Sequence, residues 1–278
     1  MTTTLAAKIA REYGTPCAVI DMDKVERNIA RIQKACDDAG IANRPHIKTH
    51  KSPTIAKMQV AGGAKAITCQ KLGEAEIMAN AGIDDILISY NLLGEEKMAR
   101  LGALQAKANM TVAADNSTLV AGLPKAAAAS GRPLSVVVEC DTGRKRAGVE
   151  TPAEAIALAR EIAASKGLHF AGFMMYPTET GWADAQKFYD EALAGVRAHG
   201  LDGHGLILEH PEARIARFAE EHGFLDLSRS NTRPNVGDVV RIVPNHVCVV
   251  VNMMDEVVMV RGEEIIGTLP VAARGKLR

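Results

Sequence analysis

The sequence predicts an α/β protein in which parallel strand–helix units form a (β/α) barrel, followed by a small antiparallel β-domain. Three observations carry that prediction. Short apolar runs alternate with helical patterns at a spacing of roughly 20 to 35 residues, as in βαβ units. Polar side chains close the predicted strands at their carboxyl ends (Lys48, Gln70, Tyr90, Asp141 and Tyr176), where barrel enzymes keep their chemistry. After Gly200 the alternation stops, and short strands separated by turn residues take over. A doubly wound sheet fits the alternation as well, but no G-x-G-x-x-G follows an early strand, so a dinucleotide-binding version lacks its main signal.

Each element has its local reason. The first apolar run, Cys17 to Ile20, precedes a helix capped by Asp21 or Asp23 with Val25, Ile29 and Ile32 on one face. Pro45–Lys48 reads as a strand, followed by a helix near Pro53–Val60. Ala66–Cys69 is a strand, and the helix Leu72–Ala81 stops at Gly82, a residue suited to the left-handed position after a helix. Strand Asp85–Tyr90 leads to a helix over Glu95–Ala106, and strand Thr111–Ala114 to one running from an Asp115 or Asn116 cap to about Ala129. Strand Ser135–Cys140 precedes a helix capped by Thr151 with Pro152 in its first turn. Strand Phe170–Met175 precedes a helix over roughly Trp182–His199. Beyond residue 200, Leu206–Glu209, Val236–Val243, Val247–Met253 and Glu256–Val260 read as antiparallel strands, with turns at Pro244-Asn245 and Arg261-Gly262. Pro211–Gly223 has helical spacing at Ile215, Phe218 and Ala219. The expected domains are therefore 1–200 and 201–278. The first holds six strand–helix units, two fewer than the eight of a closed barrel.

Composition narrows the function. With 47% hydrophobic and 24% charged residues, the 278-residue chain can bury one large core, or a core plus a small second domain. Its 33 basic and 33 acidic side chains cancel, leaving no electrostatic footprint for nucleic acid or an anionic membrane. The N-terminal run carries charge within its short apolar stretch, unlike a signal peptide, and no run of about 18 apolar residues exists to span a bilayer. Five scattered cysteines (Cys17, Cys36, Cys69, Cys140 and Cys248) fit reduced thiols better than a disulfide framework, so a cytoplasmic protein is expected.

The chemistry concentrates in Arg44-Pro45-His46-Ile47-Lys48-Thr49-His50-Lys51. A lysine at the carboxyl end of a barrel strand suits amine chemistry: partial burial lowers an amine's pKa and frees it to form a Schiff base with a carbonyl compound. A solvated strand-end lysine is the plain alternative. His246 and Cys248 form a second candidate. On a strand, residues i and i+2 share a face, so an imidazole and a thiolate there can grip one divalent ion, although an H-x-C pair is more often core packing.

Six segments together resemble the D-threonine aldolase and D-serine dehydratase group of pyridoxal-phosphate enzymes, relatives of alanine racemase with a barrel followed by a β-domain. They are Thr15-Pro16-Cys17-Ala18-Val19-Ile20-Asp21, the Lys48 octapeptide, Thr68-Cys69-Gln70-Lys71-Leu72-Gly73-Glu74-Ala75-Glu76, Asp141-Thr142-Gly143-Arg144-Lys145-Arg146-Ala147-Gly148-Val149, Pro244-Asn245-His246-Val247-Cys248 and Pro270-Val271-Ala272-Ala273-Arg274-Gly275-Lys276. By that resemblance Lys48 carries the cofactor covalently and Arg146 lies near it, either orienting it or making a structural ion pair with Asp141. Tyr176 falls where the family places an aromatic hydroxyl, within surroundings (Met174-Met175-Tyr176-Pro177-Thr178) that differ from the family pattern. His46, His50 and Gln70 are further cofactor-side candidates. The resemblance also implies a divalent metal at His246 and Cys248, beside the substrate's β-hydroxyl. A thiolate–imidazole pair suits zinc, and a carboxylate in place of the thiolate suits manganese.

The chain departs from that group between Gly200 and Leu201. Relatives carry roughly a hundred further residues there, the room needed by the last two units of a closed barrel and their phosphate-binding loop. A six-unit barrel leaves two strand edges open, which weakens phosphate binding and invites strand exchange in a homodimer. The resemblance implies cleavage of D-β-hydroxy amino acids to glycine and an aldehyde. D-serine dehydration to pyruvate and ammonia is the close alternative. A catalytically impaired remnant or a cofactor-carrying protein is a reading from another class, and a racemase a weaker one.

Overall fold

The computed structural model describes residues 4–141, 146–150, 152–176, 206–207, 214–219, 222–226, 232, 234–235, 238–243 and 247–276. The chain forms two compact units, Glu26–Gln186 with Gly275–Arg278, and Met1–Val25 with Lys187–Arg274.

The larger unit is built on five parallel strands, β2 (Ile67–Cys69), β3 (Asp85–Ile88), β4 (Asn109–Ala114), β5 (Leu134–Cys140) and β6 (Leu168–Met175), paired in sequence order. That order separates the two architectures left open by the alternation. A doubly wound sheet reverses its strand order at a switch point, whereas barrel strands add one after another. Helices α3 (Pro53–Ala61), α4 (Leu72–Asn80), α5 (Glu95–Gln105), α6 (Ser117–Ser130) and α7 (Pro152–Ala164) supply the crossovers. Ile47, Ile67, Leu72, Met78, Ile86, Ile88, Leu101, Met110, Leu123, Leu134 and Ile162 are almost fully excluded from solvent and make the core. Ser52 caps α3 by accepting from the Ile55 N–H, with Pro53 in the first turn, and Asn116 caps α6 through Leu119. The cap expected from Thr151 and the helix expected over Trp182–His199 lie outside the described residues.

Pro45–Lys48 is not a strand. Its one ladder contact is a parallel bridge between His46 and Thr68, after which Ile47–Thr49 turns as a short 3₁₀ helix. The imidazole is the reason: His46 Nδ1 accepts the Lys48 backbone N–H at 3.2 Å, which closes the turn and removes that donor from any ladder. The bridge still places the Lys48 segment ahead of β2, so six positions line up in the order counted from the sequence.

The smaller unit contains α1 (Leu5–Tyr13), not anticipated from the sequence, and β1 (Ala18–Asp21). β1 runs parallel to β11 (Glu256–Arg261), which pairs antiparallel with β12 (Glu264–Pro270). Met1–Val25 therefore groups with C-terminal residues, a grouping that a division at residue 200 does not contain. Asp21 Oδ1 accepts from the Lys24 N–H at the start of α2 (Met22–Asp38), as a cap should, while Asp23 takes Arg261 at 2.6 Å and the Gly262 N–H at 3.1 Å. A second sheet pairs β7 (Leu206–Ile207), β8 (Arg214–Ala219), β9 (His222–Asp226) and β10 (Ile242–Val243) in the order β10-β7-β8-β9. The helical reading of Pro211–Gly223 is thus replaced by a hairpin. A register shift between Ile215 and Arg217 resets the alternation, so a bulged strand imitates helical i, i+3 spacing. Val247–Met253, expected as a strand, is a helix (α8). Short apolar runs do not distinguish the two states by periodicity.

Candidate active site

Parallel strands bring their carboxyl ends to one rim, and the candidate residues sit on it in two groups. The first surrounds Lys48. Its side chain is half-buried, and among the described residues its amine has no hydrogen-bond or ion-pair partner. Lys51, three residues on, is the opposite case: its ammonium lies 3.1 Å from Glu74, with both side chains buried. The turn thus carries one committed cation and one uncommitted amine.

His46 backs Lys48. Because Nδ1 accepts from the Lys48 backbone, the ring proton belongs on Nε2, which faces Ser89 Oγ at 3.4 Å; that hydroxyl donates onward to the Cys69 carbonyl. The Gln70 side chain also acts on the His46 ring, favouring its charged form. Burial, helped by the nearby Lys48 charge, pushes His46 down to about 4 against the weaker opposing effect of Gln70, so the ring is neutral near pH 7. His50 is neutral for a similar reason. Burial holds it at about 4, with Nδ1 accepting from the Ser52 N–H at 3.1 Å and Nε2 facing Gln59 Oε1 at 3.3 Å. Both of its ring nitrogens are committed to α3 and its approach, so His50 shapes the turn and has no nitrogen left for a ligand.

The second group stands at the ends of β5 and β6. Arg146 lies 3.2 Å from Glu139 and stacks 4.8 Å from the centre of the Tyr176 ring. The ion pair considered with Asp141 is found with Glu139 instead. Burial pushes the Glu139 carboxyl up, and the guanidinium opposes it. Close to Arg146 in the chain, Val149 is fastened to β5: its N–H donates to the Glu139 carbonyl and its carbonyl accepts from the Asp141 N–H, both at 2.9 Å. Tyr176 itself is exposed.

The metal pair is not assembled among the described residues. His246 lies outside them, and Cys248 sits in the first turn of α8. Cys248 is thus helical where a strand was expected, and its relation to His246 lies outside the described residues. No cluster of three or more His, Cys, Asp or Glu side chains suited to a metal occurs among the described residues. Ser89, Glu74, Lys51 and Glu139 were not singled out as site residues in the sequence. Ser89 and Glu139 were marked only by lying next to strand ends already picked for polar character.

A half-buried, uncommitted amine on a barrel rim, backed by a neutral histidine, with an arginine held at the end of β5, fits an aldehyde-bearing anionic cofactor. Comparisons with known proteins point the same way. D-threonine aldolase of Arthrobacter sp is 40% identical over 162 residues, 58% of this chain and 43% of that protein. 3-Hydroxy-D-aspartate aldolase of Paracoccus denitrificans (strain Pd 1222) is 34% identical over 206 residues, 71% of this chain and 53% of that protein. The chain spans about half the length of these curated relatives. Among solved structures, D-threonine aldolase from Filomicrobium marinum superposes with a TM-score of 0.84 at 26% identity, covering 95% of this chain and 96% of that one. D-threo-3-hydroxyaspartate dehydratase from Delftia sp. HT23, at 20% identity and a TM-score of 0.76 over 97% and 99% of the two chains, shares the fold. The alanine racemase N-terminal domain model matches residues 20–198, more than half of the chain. The chain therefore belongs to the alanine racemase N-terminal domain family, within its D-threonine aldolase-like, fold type III pyridoxal-phosphate group.

Proposed function

We propose that this protein is a pyridoxal-phosphate lyase that cleaves D-configured β-hydroxy amino acids to glycine and an aldehyde, with Lys48 holding the cofactor. The single observation that carries the reading is the contrast within one turn: Lys51 is tied to Glu74, while Lys48 is left uncommitted at the strand rim. When bound, the cofactor supplies an electron sink for the bond broken at the substrate's α-carbon. The chain's own residues do the rest. The Lys48 amine would hold the cofactor through its aldehyde and stands where it could take up or give a proton beside it. His46, neutral, fixes the Lys48 backbone without adding a second charge. Arg146, braced by Glu139, presents a permanent cation that orients the anionic cofactor, and Tyr176 is placed against it.

A divalent ion at His246 and Cys248 belongs to the same proposal and rests on the family resemblance; no step is assigned to it. A D-amino acid substrate in the cytoplasm, and a homodimer covering open strand edges, complete the reading. Dehydration is the second reading, favoured by the 36% identity over 135 residues with D-threo-3-hydroxyaspartate dehydratase of Delftia sp. (strain HT23). A remnant that binds the cofactor weakly is the third, favoured by the share of its relatives' length that the chain spans. One set of incubations tests all three. Purified protein given cofactor, D-threonine and D-serine separately should release acetaldehyde from the first. Pyruvate from D-serine alone would favour dehydration. A colourless protein releasing neither product would favour the remnant.

A further inference from the structure

Glu74 has a place in the site that its position in the sequence does not announce. It is the third residue of α4, and Oε2 accepts the Lys71 N–H at 3.3 Å, the ordinary work of a capping acid. Two contacts exceed that work. The same oxygen accepts the Gln70 N–H at 2.8 Å, and Oε1 takes the Lys51 ammonium at 3.1 Å. Lys51 has φ 48°, a left-handed conformation that a side-chain-bearing residue adopts at a cost, and its N–H donates to the Ile47 carbonyl at 2.8 Å. The carboxylate therefore fastens both sides of the amine. Through Lys51 it holds the turn Ile47–Lys51 that carries Lys48. Through the Gln70 N–H it holds the end of β2, whose Thr68 bridges His46, the residue that caps the Lys48 N–H.

Stability alone does not account for this clasp. Its side chains are 5% and 2% exposed, and taking two opposite charges out of water costs about what their attraction returns. Apolar residues of similar volume would fill the space as well. What such residues would not do is hold two separate segments in one register. We propose that Glu74, clasped by Lys51, is the positioning residue that sets where the Lys48 amine stands. This inference rests on Lys48 being the cofactor lysine.

The test uses the full chain with pyridoxal phosphate, borohydride trapping and peptide mapping. It reads the rate of labelling at Lys48 relative to exposed Lys57, alongside thermal stability. Wild type should label Lys48 preferentially. The paired substitution Lys51→Met with Glu74→Leu removes both charges together; leaving the Gln70 and Lys71 N–H groups without their acceptor should lower thermal stability modestly, while the Lys48 preference falls about tenfold. Glu74→Gln, which retains an oxygen for the two N–H groups but not for the ammonium, is a gentler variant should the pair fail to fold; it is expected to lower the preference about threefold or more. A folded variant of either kind that keeps the wild-type preference overturns this proposal alone. A wild type labelled no faster at Lys48 than at Lys57 overturns the cofactor reading and this proposal with it.

Discussion

Arg146 lies 3.2 Å from Glu139, an exposed cation bound to a carboxylate that β5 keeps almost wholly from water. The partners are unequal in what they lose when parted. Arg146 regains solvent, whereas Glu139 is left charged in the interior. Arg146→Ala should therefore raise the Glu139 pKa further. The folded state then holds a proton that the unfolded state releases above about pH 4.5, so stability falls as pH rises through that window. Urea denaturation at pH 5 and pH 8 should show the variant losing roughly 1–2 kcal/mol more than wild type over the interval. Equal losses would show that Glu139 is adequately satisfied without the arginine.

The two histidines of the Lys48 turn give a pH dependence of the opposite sense. Burial holds each at about 4, below its ordinary value near 6.5. Between those values the unfolded chain binds more protons than the folded one. Their contribution is complete above pH 6.5, declines as pH falls toward 4, and levels off below it. The loss should be on the order of 3 kcal/mol for each ring. Denaturation of His50→Gln across pH 4 to 7 should show a shallower slope than wild type. An unchanged slope would mean that His50 takes up a proton as easily in the folded state.

The backbone just after Arg146 depends on a glycine. Gly148 has φ 110°, and a side chain there would stand 2.4 Å from the Asp141 nitrogen and 2.6 Å from the Cys140 carbonyl carbon. Neither neighbour is a flexible side-chain end, so the backbone itself has to move. Gly148→Ala should destabilise the protein by about 2–4 kcal/mol and speed amide exchange at Val149, whose N–H is bound to the Glu139 carbonyl. Exchange as slow as in wild type would contradict the tight fit.

Much of this was legible in the sequence, for identifiable reasons. From Ile67 to Ala164, strand follows helix where fully apolar runs meet residues with a single local use, such as Pro53, Asn116 and Pro152. Lys48 and Gln70 stood out because polar side chains at barrel strand ends have few structural reasons to be there, and Arg146 through the family resemblance. The failures arise where tertiary contacts outweigh local pattern. His46 looks like a strand residue, yet its ring caps a turn. Ile215 and Phe218 look helical because a bulge shifts their register. Val247–Met253 is rich in β-branched residues and still helical. The Lys51–Glu74 clasp was invisible because a buried pair between distant segments leaves no periodic trace.

The most direct test of the account is covalent. Reducing the cofactor-loaded protein with borohydride and mapping its peptides should place the phosphopyridoxyl group on Lys48, with none recovered at Lys51, whose ammonium Glu74 holds. Label on Lys51 or another lysine, or no label in a folded protein saturated with pyridoxal phosphate, would contradict it.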